Sequence, residues 1–271
     1  MMDLIDIYNG KTDLHMHSTA SDGTDSVEEL LEHVKRAGLT TFSLTDHDTI
    51  EGALTMEKIV PKDIRFIRGV EFSCTTQIRK CHILGYGYDP ENRDFLQTLA
   101  ASATLRRDKM RMKILFLDQK YGIRLTKEEI TYLNLLDSAG KPQLAQMIIK
   151  RGLASTVEEA IEKYLNSFHS KSFDSGKAIR GIRDGGGVAV WAHPLGGERQ
   201  KHIPEEKVEA QLEILREQGI QGIECRYSRY TKAESEMLVR IAKKYGLMIT
   251  GGSDYHGTTK HNIELGQLQA D

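Results

Sequence analysis

The chain is predicted to be an α/β protein in which strands and helices alternate around a barrel-like parallel sheet, interrupted once by an all-helical segment. Over the first hundred residues, short apolar runs alternate with helical patterns, which is how successive βα units read. Between residues 95 and 177 only helical periodicity remains, and afterwards the βα rhythm returns.

Residues 11–15 read as the first strand. Ser26, with Glu28 and Glu29 in a first turn and Leu30, Leu31, Val34 and Ala37 on one face, predicts a capped amphipathic helix that stops at Gly38. Residues 41–44 form a second strand running into Asp46, His47 and Asp48, followed by a helix over 49–59 and strands over 66–72 and 82–88. The helical segment divides at Gly122, Gly140 and Gly152 into helices over 96–116, 126–136, 141–150 and 156–165. Beyond it come a strand over 187–193, a helix over 205–218, a strand over 222–226, a helix over 231–245 and a strand over 247–251. This places a barrel in residues 1–94 and 178–271, with residues 95–177 inserted as a lid over its mouth.

With 271 residues, 39% of them hydrophobic, the chain can bury a core of its own. Thirty-seven Lys plus Arg against thirty-nine Asp plus Glu leave a formal charge of -2, which excludes the global basic field that drives nonspecific duplex binding. No run of about 18 apolar residues is present to span a bilayer, and the first residues lack a secretory pattern. Cys74, Cys81 and Cys225 make an odd set that suits reduced core thiols in the cytoplasm. No membrane and no obligate protein partner are expected.

In a parallel βα array the carboxyl ends of the strands converge on one face, and active sites are built there. Those ends deliver Asp13, His15 and His17 with Asp22 close behind, then Asp46, His47 and Asp48, then Glu71, His82, His193, Asp254 and His256. Six of the ten histidines fall at strand ends, while His33, His169, His202 and His261 lie in helical or loop contexts. So many imidazoles and carboxylates on one face are costly to bury unless cations compensate them. Ligands of this kind, without thiolate, suit Mn²⁺, Fe²⁺ or Zn²⁺. They outnumber what one ion needs, so two or three ions are expected, a design that clamps the oxygens of phosphate esters and activates water.

The segments Asp13-Leu14-His15-Met16-His17-Ser18, Ser21-Asp22-Gly23, Thr45-Asp46-His47-Asp48-Thr49, Gly69-Val70-Glu71, Ala192-His193-Pro194 and Ser253-Asp254-Tyr255-His256-Gly257 together resemble the PHP (polymerase and histidinol phosphatase) superfamily. The resemblance implies a distorted (β/α)₇ barrel with three divalent ions. His15, His17, Glu71 and Asp254 would hold one ion, Glu71, His82 and His193 a second, and Asp22, His47 and His256 the third. Glu71, His193 and Asp254 would also carry the catalysis. The helical insert and its Gly140-Lys141-Pro142 look like the branch of stand-alone phosphoesterases that remove the 3'-phosphate of nucleoside 3',5'-bisphosphates, some of which trim short RNA from the 5' end.

Asp13 and Asp46, beside ligands, are candidates to orient imidazole N–H groups. Ser228 and Arg229, just past a strand end, are candidates to bind the small phosphorylated substrate, with Arg226 and Arg199 behind them. The basic residues of the first insert helix, Arg106, Arg107, Lys109 and Arg111, read as a solvated face. A histidinol-phosphate phosphatase and a non-catalytic, metal-stabilised nucleotide-binding module are the alternatives.

Overall fold

The computed structural model describes residues 11–136, 138–168, 170–197, 201–260 and 262–268. Its strands are β1 (Thr12–Asp13), β2 (Thr41–Leu44), β3 (Arg65–Thr75), β4 (Lys80–Tyr86), β5 (Phe173–Asp174), β6 (Val188–Ala192), β7 (Gly222–Tyr227) and β8 (Met248–Gly252). The helices are α1 (Val27–Arg36), α2 (Glu51–Ile59), α3 (Arg93–Tyr121), α4 (Lys127–Leu135), α5 (Lys141–Lys150), α6 (Val157–Ala160, continued by a π turn over Ile161–Leu165), α7 (Ser175–Asp184), α8 (Glu205–Glu217) and α9 (Lys232–Lys244).

Seven strands follow the path β1-β2-β3-β4-β6-β7-β8, and β5 adds to β3. The Leu14 N–H donates to the Gly251 carbonyl at 3.1 Å and the His17 N–H to the Tyr255 carbonyl at 2.9 Å, so the last strand returns to the first. The sheet is a nearly closed, distorted (β/α)₇ barrel. It departs from the expected all-parallel array in one place, because β4 pairs antiparallel with both β3 and β6. The β3–β4 connection is a tight turn, which permits only an antiparallel return.

Local chemistry fixes the helices. Ser26 and Glu29 form a capping box at the start of α1, whose Val27, Leu30, Leu31 and Val34 are buried. Asn92 caps α3, and Gly122 ends it in the left-handed region at φ 67°. Inside the barrel, Leu14, Ile67, Leu84, Tyr86, Val190 and Ala192 pack as one cluster. Strand alternation places His82 on the same face as Leu84 and Tyr86. Helices α3 to α6 bury a separate cluster that includes Met110, Leu117, Leu144, Ile148 and Leu165. The stretch read as wholly helical also contains β5, and α7 begins within it and packs on α3 and β4. Among the described residues no helix is long and apolar enough to cross a membrane.

Barrel closure depends on a missing side chain. A Cβ on Gly252 would lie 2.2 Å from the Cβ of His15 and 2.6 Å from its backbone nitrogen. Gly252→Ala should therefore force β8 away from β1 and destabilise the fold by about 1–3 kcal/mol, as overpacking does. A denaturation midpoint equal to that of the wild type would show that the seam is looser than described.

Candidate metal centre

The site lies at one mouth of the barrel and is organised by Glu71, which is 1% exposed and near the middle of β3. Its two oxygens face different groups. Oε2 lies 3.3 Å from His15 Nε2, 3.2 Å from His17 Nε2 and 3.1 Å from His47 Nδ1. Oε1 lies 2.8 Å from His82 Nδ1 and 3.2 Å from His193 Nε2. His82 reaches this mouth although it stands near the start of β4, because the reversal of that strand brings its first residues to the carboxyl end of its neighbours.

Asp254 contributes through Oδ1, which is 3.4 Å from His15 Nε2, from His17 Nε2 and from His256 Nδ1. Its Oδ2 is held from behind by the Tyr227 hydroxyl at 3.0 Å and by the ammonium of Lys260. Asp22 Oδ1 lies 3.3 Å from His256 Nε2, and Asp22 Oδ2 lies 3.8 Å from His47 Nε2. All nine residues that the resemblance singles out are therefore brought together. Ligand atoms of eight of them fall into the sets His15, His17, Glu71 and Asp254; His17, Asp22, His47 and His256; and His47, Glu71 and His82, with all atoms of a set within 4.8 Å of one another. His193 joins none of these sets and meets the cluster through Glu71 Oε1, so the expected Glu71, His82 and His193 set has His47 in place of His193. Backbone strain is concentrated here as well. Of the four non-glycine residues with positive φ among those described, Asp48, His193 and Asp254 belong to this mouth.

The residues fit a group of cations. His15 Nε2, His17 Nε2, Asp22 Oδ1, His47 Nδ1 and Glu71 Oε2 are buried and make no hydrogen bond. Five inward-facing polar atoms left in that state would be expensive, and divalent ions would satisfy them together. The titration behaviour agrees. Burial works against the carboxylates of Glu71, Asp22 and Asp254, yet the neighbouring imidazoles, with Lys260 beside Asp254 and Arg106 beside Asp22, hold all three well below the usual range. Burial also opposes protonation of His15 and His17, but Glu224, Glu71 and Asp254 hold His15 well above its usual value, and Asp254 and Glu71 raise His17 to about 9. Burial pulls His47 well down and, with Lys260 and His17, takes His256 to about 4.

Other predicted residues have different roles. Asp13 accepts backbone N–H groups from His15 at 3.2 Å, Ser253 at 3.0 Å and Gly266 at 2.8 Å, so it caps strand ends and does not orient an imidazole. Asp46 accepts from Ser18 N–H, from the Ser18 hydroxyl and, at 2.6 Å, from the Ser21 hydroxyl, which lies 3.5 Å from His17 Nδ1. It reaches the histidine only through that serine. The Ser228 hydroxyl donates to the Ser253 carbonyl at 2.8 Å, so its proton is committed to the backbone and not to a substrate. Arg226 and Arg229 are partly buried and line neither cavity at the centre. Arg199, His169 and His261 lie outside the described residues. His33 and His202 pair with Asp25 and Glu234, away from the cluster. The three cysteines are free and buried.

Two features were not anticipated. Glu224, fully buried in β7, accepts from His15 Nδ1 at 2.9 Å and from the His193 backbone N–H at 2.7 Å. One carboxylate thus fixes two candidate ligands. The second is a cavity of about 300 Å³ that opens on Asp22, His47 and His82 and is walled by Arg106, Lys109, Lys113, Lys141 and Lys80. Arg106 bonds Asp48 Oδ2 at 3.2 Å, Ser73 Oγ at 3.1 Å and the Ser138 carbonyl at 3.4 Å, tying the insert to the barrel. Lys113 is pushed down to about 7 by burial and then by the charges of Arg106, Lys141, Lys109 and Lys80. Of the helix face read as solvated, Arg107 and Arg111 point to solvent, whereas Arg106 and Lys109 turn inward.

Fold and site define a metal-dependent hydrolase of phosphate esters. The chain belongs to the PHP domain family, which matches residues 13–174. It is similar to a 5'-3' exoribonuclease of Haemophilus influenzae, 31% identical over 261 residues that cover 91% of this chain and 90% of the relative. A phosphoribosyl 1,2-cyclic phosphate 1,2-diphosphodiesterase of Eggerthella lenta is 29% identical, covering 90% and 94% of the two chains. A 3',5'-nucleoside bisphosphate phosphatase of Chromobacterium violaceum is 24% identical, covering 95% and 91%. A solved structure described as a metal-dependent phosphoesterase of Bifidobacterium adolescentis superposes with a TM-score of 0.80 at 25% identity, covering 96% and 92%.

Glu224→Gln cannot accept from both partners, because one of its oxygens becomes a donor. Its affinity for Mn²⁺ should fall about 10- to 100-fold with the fold retained, read by metal titration and circular dichroism. Unchanged affinity would remove the positioning role. Because ligation needs neutral imidazole, and because Asp254 and Glu71, against burial, raise His17 to about 9, ion binding would expel a proton. Mn²⁺ affinity should therefore climb as pH rises from about 6 towards 9, and a flat profile in calorimetric titrations would contradict the assignment.

Proposed function

We propose that the chain hydrolyses a phosphate ester of a small nucleotide, the 3'-phosphate of nucleoside 3',5'-bisphosphates first and short RNA from its 5' end second. The basic cavity carries this reading. It meets the metal centre at Asp22, His47 and His82 and holds five cationic side chains along its wall, so it suits a substrate with one phosphate at the centre and another anionic group deeper in. Its volume of about 300 Å³ is that of a small-ligand site. The same cations would repel the ammonium of histidinol phosphate, which disfavours that substrate. The activities for which the Chromobacterium and Haemophilus relatives are named support the same two nucleotide classes.

In this reading three divalent ions are held, one by His15, His17, Glu71 and Asp254, one by Glu71, His82 and His193, and one by Asp22, His47 and His256, with Mn²⁺, Fe²⁺ or Zn²⁺ compatible with the donors. When bound, such ions neutralise phosphoryl oxygens and make water acidic enough to attack phosphorus. Glu71, whose two oxygens face different imidazoles, would hold two of them with one carboxylate. His193 would ligate through Nε2, which faces Glu71. Arg106, Lys109, Lys113 and Lys141 orient the far phosphate. Residues 95–177 act as a lid on a barrel formed by 1–94 and 178–271, excluding bulk water. The free buried thiols suit a cytoplasmic setting.

Phosphate release from adenosine 3',5'-bisphosphate should exceed that from histidinol phosphate, require Mn²⁺ and stop with chelator. Glu71→Gln should abolish turnover while the protein stays folded. Binding of the bisphosphate without phosphate release would transfer the chain to the class of nucleotide-binding modules, and turnover by Glu71→Gln would end the bridging role.

A further inference from the structure

His82 stands between two cavities. One is the basic chamber under the insert. The other is a cleft of about 80 Å³ on the opposite flank, between the β3–β4 turn and the segment after β6, lined by Arg79, Lys80, His82, Trp191, His193 and Pro194 among others. That space holds a few water molecules or one tetrahedral oxyanion, and not a nucleobase.

Arg79 is built into the wall of this cleft. Its backbone is pinned in the turn: the N–H donates to Thr76 Oγ1 at 3.3 Å, and the carbonyl accepts from Thr76 N at 2.9 Å, Thr76 Oγ1 at 3.1 Å and Thr75 Oγ1 at 3.2 Å. The guanidinium differs. Its Nη1 is inaccessible and makes no hydrogen bond, and among the described residues no carboxylate forms an ion pair with Arg79. Burial accordingly lowers its pKa. A guanidinium that lines the cleft with no carboxylate beside it lacks an anion. The substrate can supply it, because His82 and His193, candidate ligands of one ion, form the same cleft.

We propose that the Arg79 cleft binds the phosphodiester that follows the scissile one, so that the site grips an oligonucleotide on both flanks of the reacting phosphorus. This rests on the function proposed above. The first nucleotide occupies the basic chamber with its 5'-phosphate towards Lys109 and Lys113. The second lies beyond the ions, and the phosphate after it meets Arg79. Cleavage breaks one P–O bond: water supplies hydroxide to phosphorus, and the leaving ribose oxygen takes the proton. A mononucleotide bisphosphate has no group that reaches Arg79. The cleft is therefore a specificity element for short RNA.

The test compares the 5'-phosphorylated trinucleotide pApApA with adenosine 3',5'-bisphosphate in the Mn²⁺-loaded protein and in Arg79→Ala. A charge-assisted contact of this kind predicts that the ratio of kcat/KM values, trinucleotide over bisphosphate, falls about tenfold or more in the variant, mainly through KM. An unchanged ratio overturns the proposal, and so does an equal loss on both substrates, which marks a structural role. If the wild-type protein turns over neither compound, the failure belongs to the function proposed above. The Arg79 cleft is then judged by equilibrium binding, where the same ratio of affinities must fall about tenfold, and a constant ratio overturns it.

Discussion

A carboxylate buried to 1% exposure and faced by nitrogens from five imidazoles can persist only if the charges around it are balanced. Glu71 is that carboxylate, and the rest of the mouth of the barrel is arranged to serve it. Against burial, neighbouring carboxylates raise His15 and His17, while burial lowers His47 and His256. The cluster is therefore suited to cations.

The surrounding structure holds these groups against their tendency to separate. Glu224 grips His15 by its ring and His193 by its backbone, while Tyr227 and Lys260 hold the outer oxygen of Asp254. Left-handed backbone at His193 and Asp254 turns side chains inward where regular strand geometry would carry them past. The reversal of β4 brings a residue from the beginning of a strand to a mouth otherwise built from strand ends. Helices α3 and α5 add Arg106, Lys109, Lys113 and Lys141 to a wall of positive charge that Lys80 of β4 completes. Arg106, fastened to Asp48 and Ser73, places that wall against the ligands.

Much of this was legible in the sequence. Residues 41–44 and 141–150 are found as read, because an apolar run after a glycine and a proline at a helix start are strong local signals. Convergence of the nine ligand positions followed from strand ends and motif order. The direction of β4 did not, since two-residue alternation looks the same from either end and the short turn at 76–79 was the only hint. Glu224 was overlooked as a single acid between Ile223 and Cys225, although an acid inside a wholly buried strand is itself a signal of a partner. The basic wall was misread because Arg106, Lys109 and Lys113 share one face of a 29-residue helix whose other faces are also charged. Only tertiary packing shows which face is covered. The bond from Ser228 to the Ser253 carbonyl was not legible either, because a hydroxyl at a strand end serves a neighbouring carbonyl as readily as a ligand.

The central claim is that imidazoles and carboxylates from distant segments form one cage for several cations around Glu71. Anomalous diffraction from crystals equilibrated with Mn²⁺ addresses it directly. The account predicts separate anomalous peaks inside the cluster, two of them sharing Glu71 through its different oxygens. Crystals that show no peak there, while the same preparation hydrolyses phosphate esters in the presence of chelator, would contradict it.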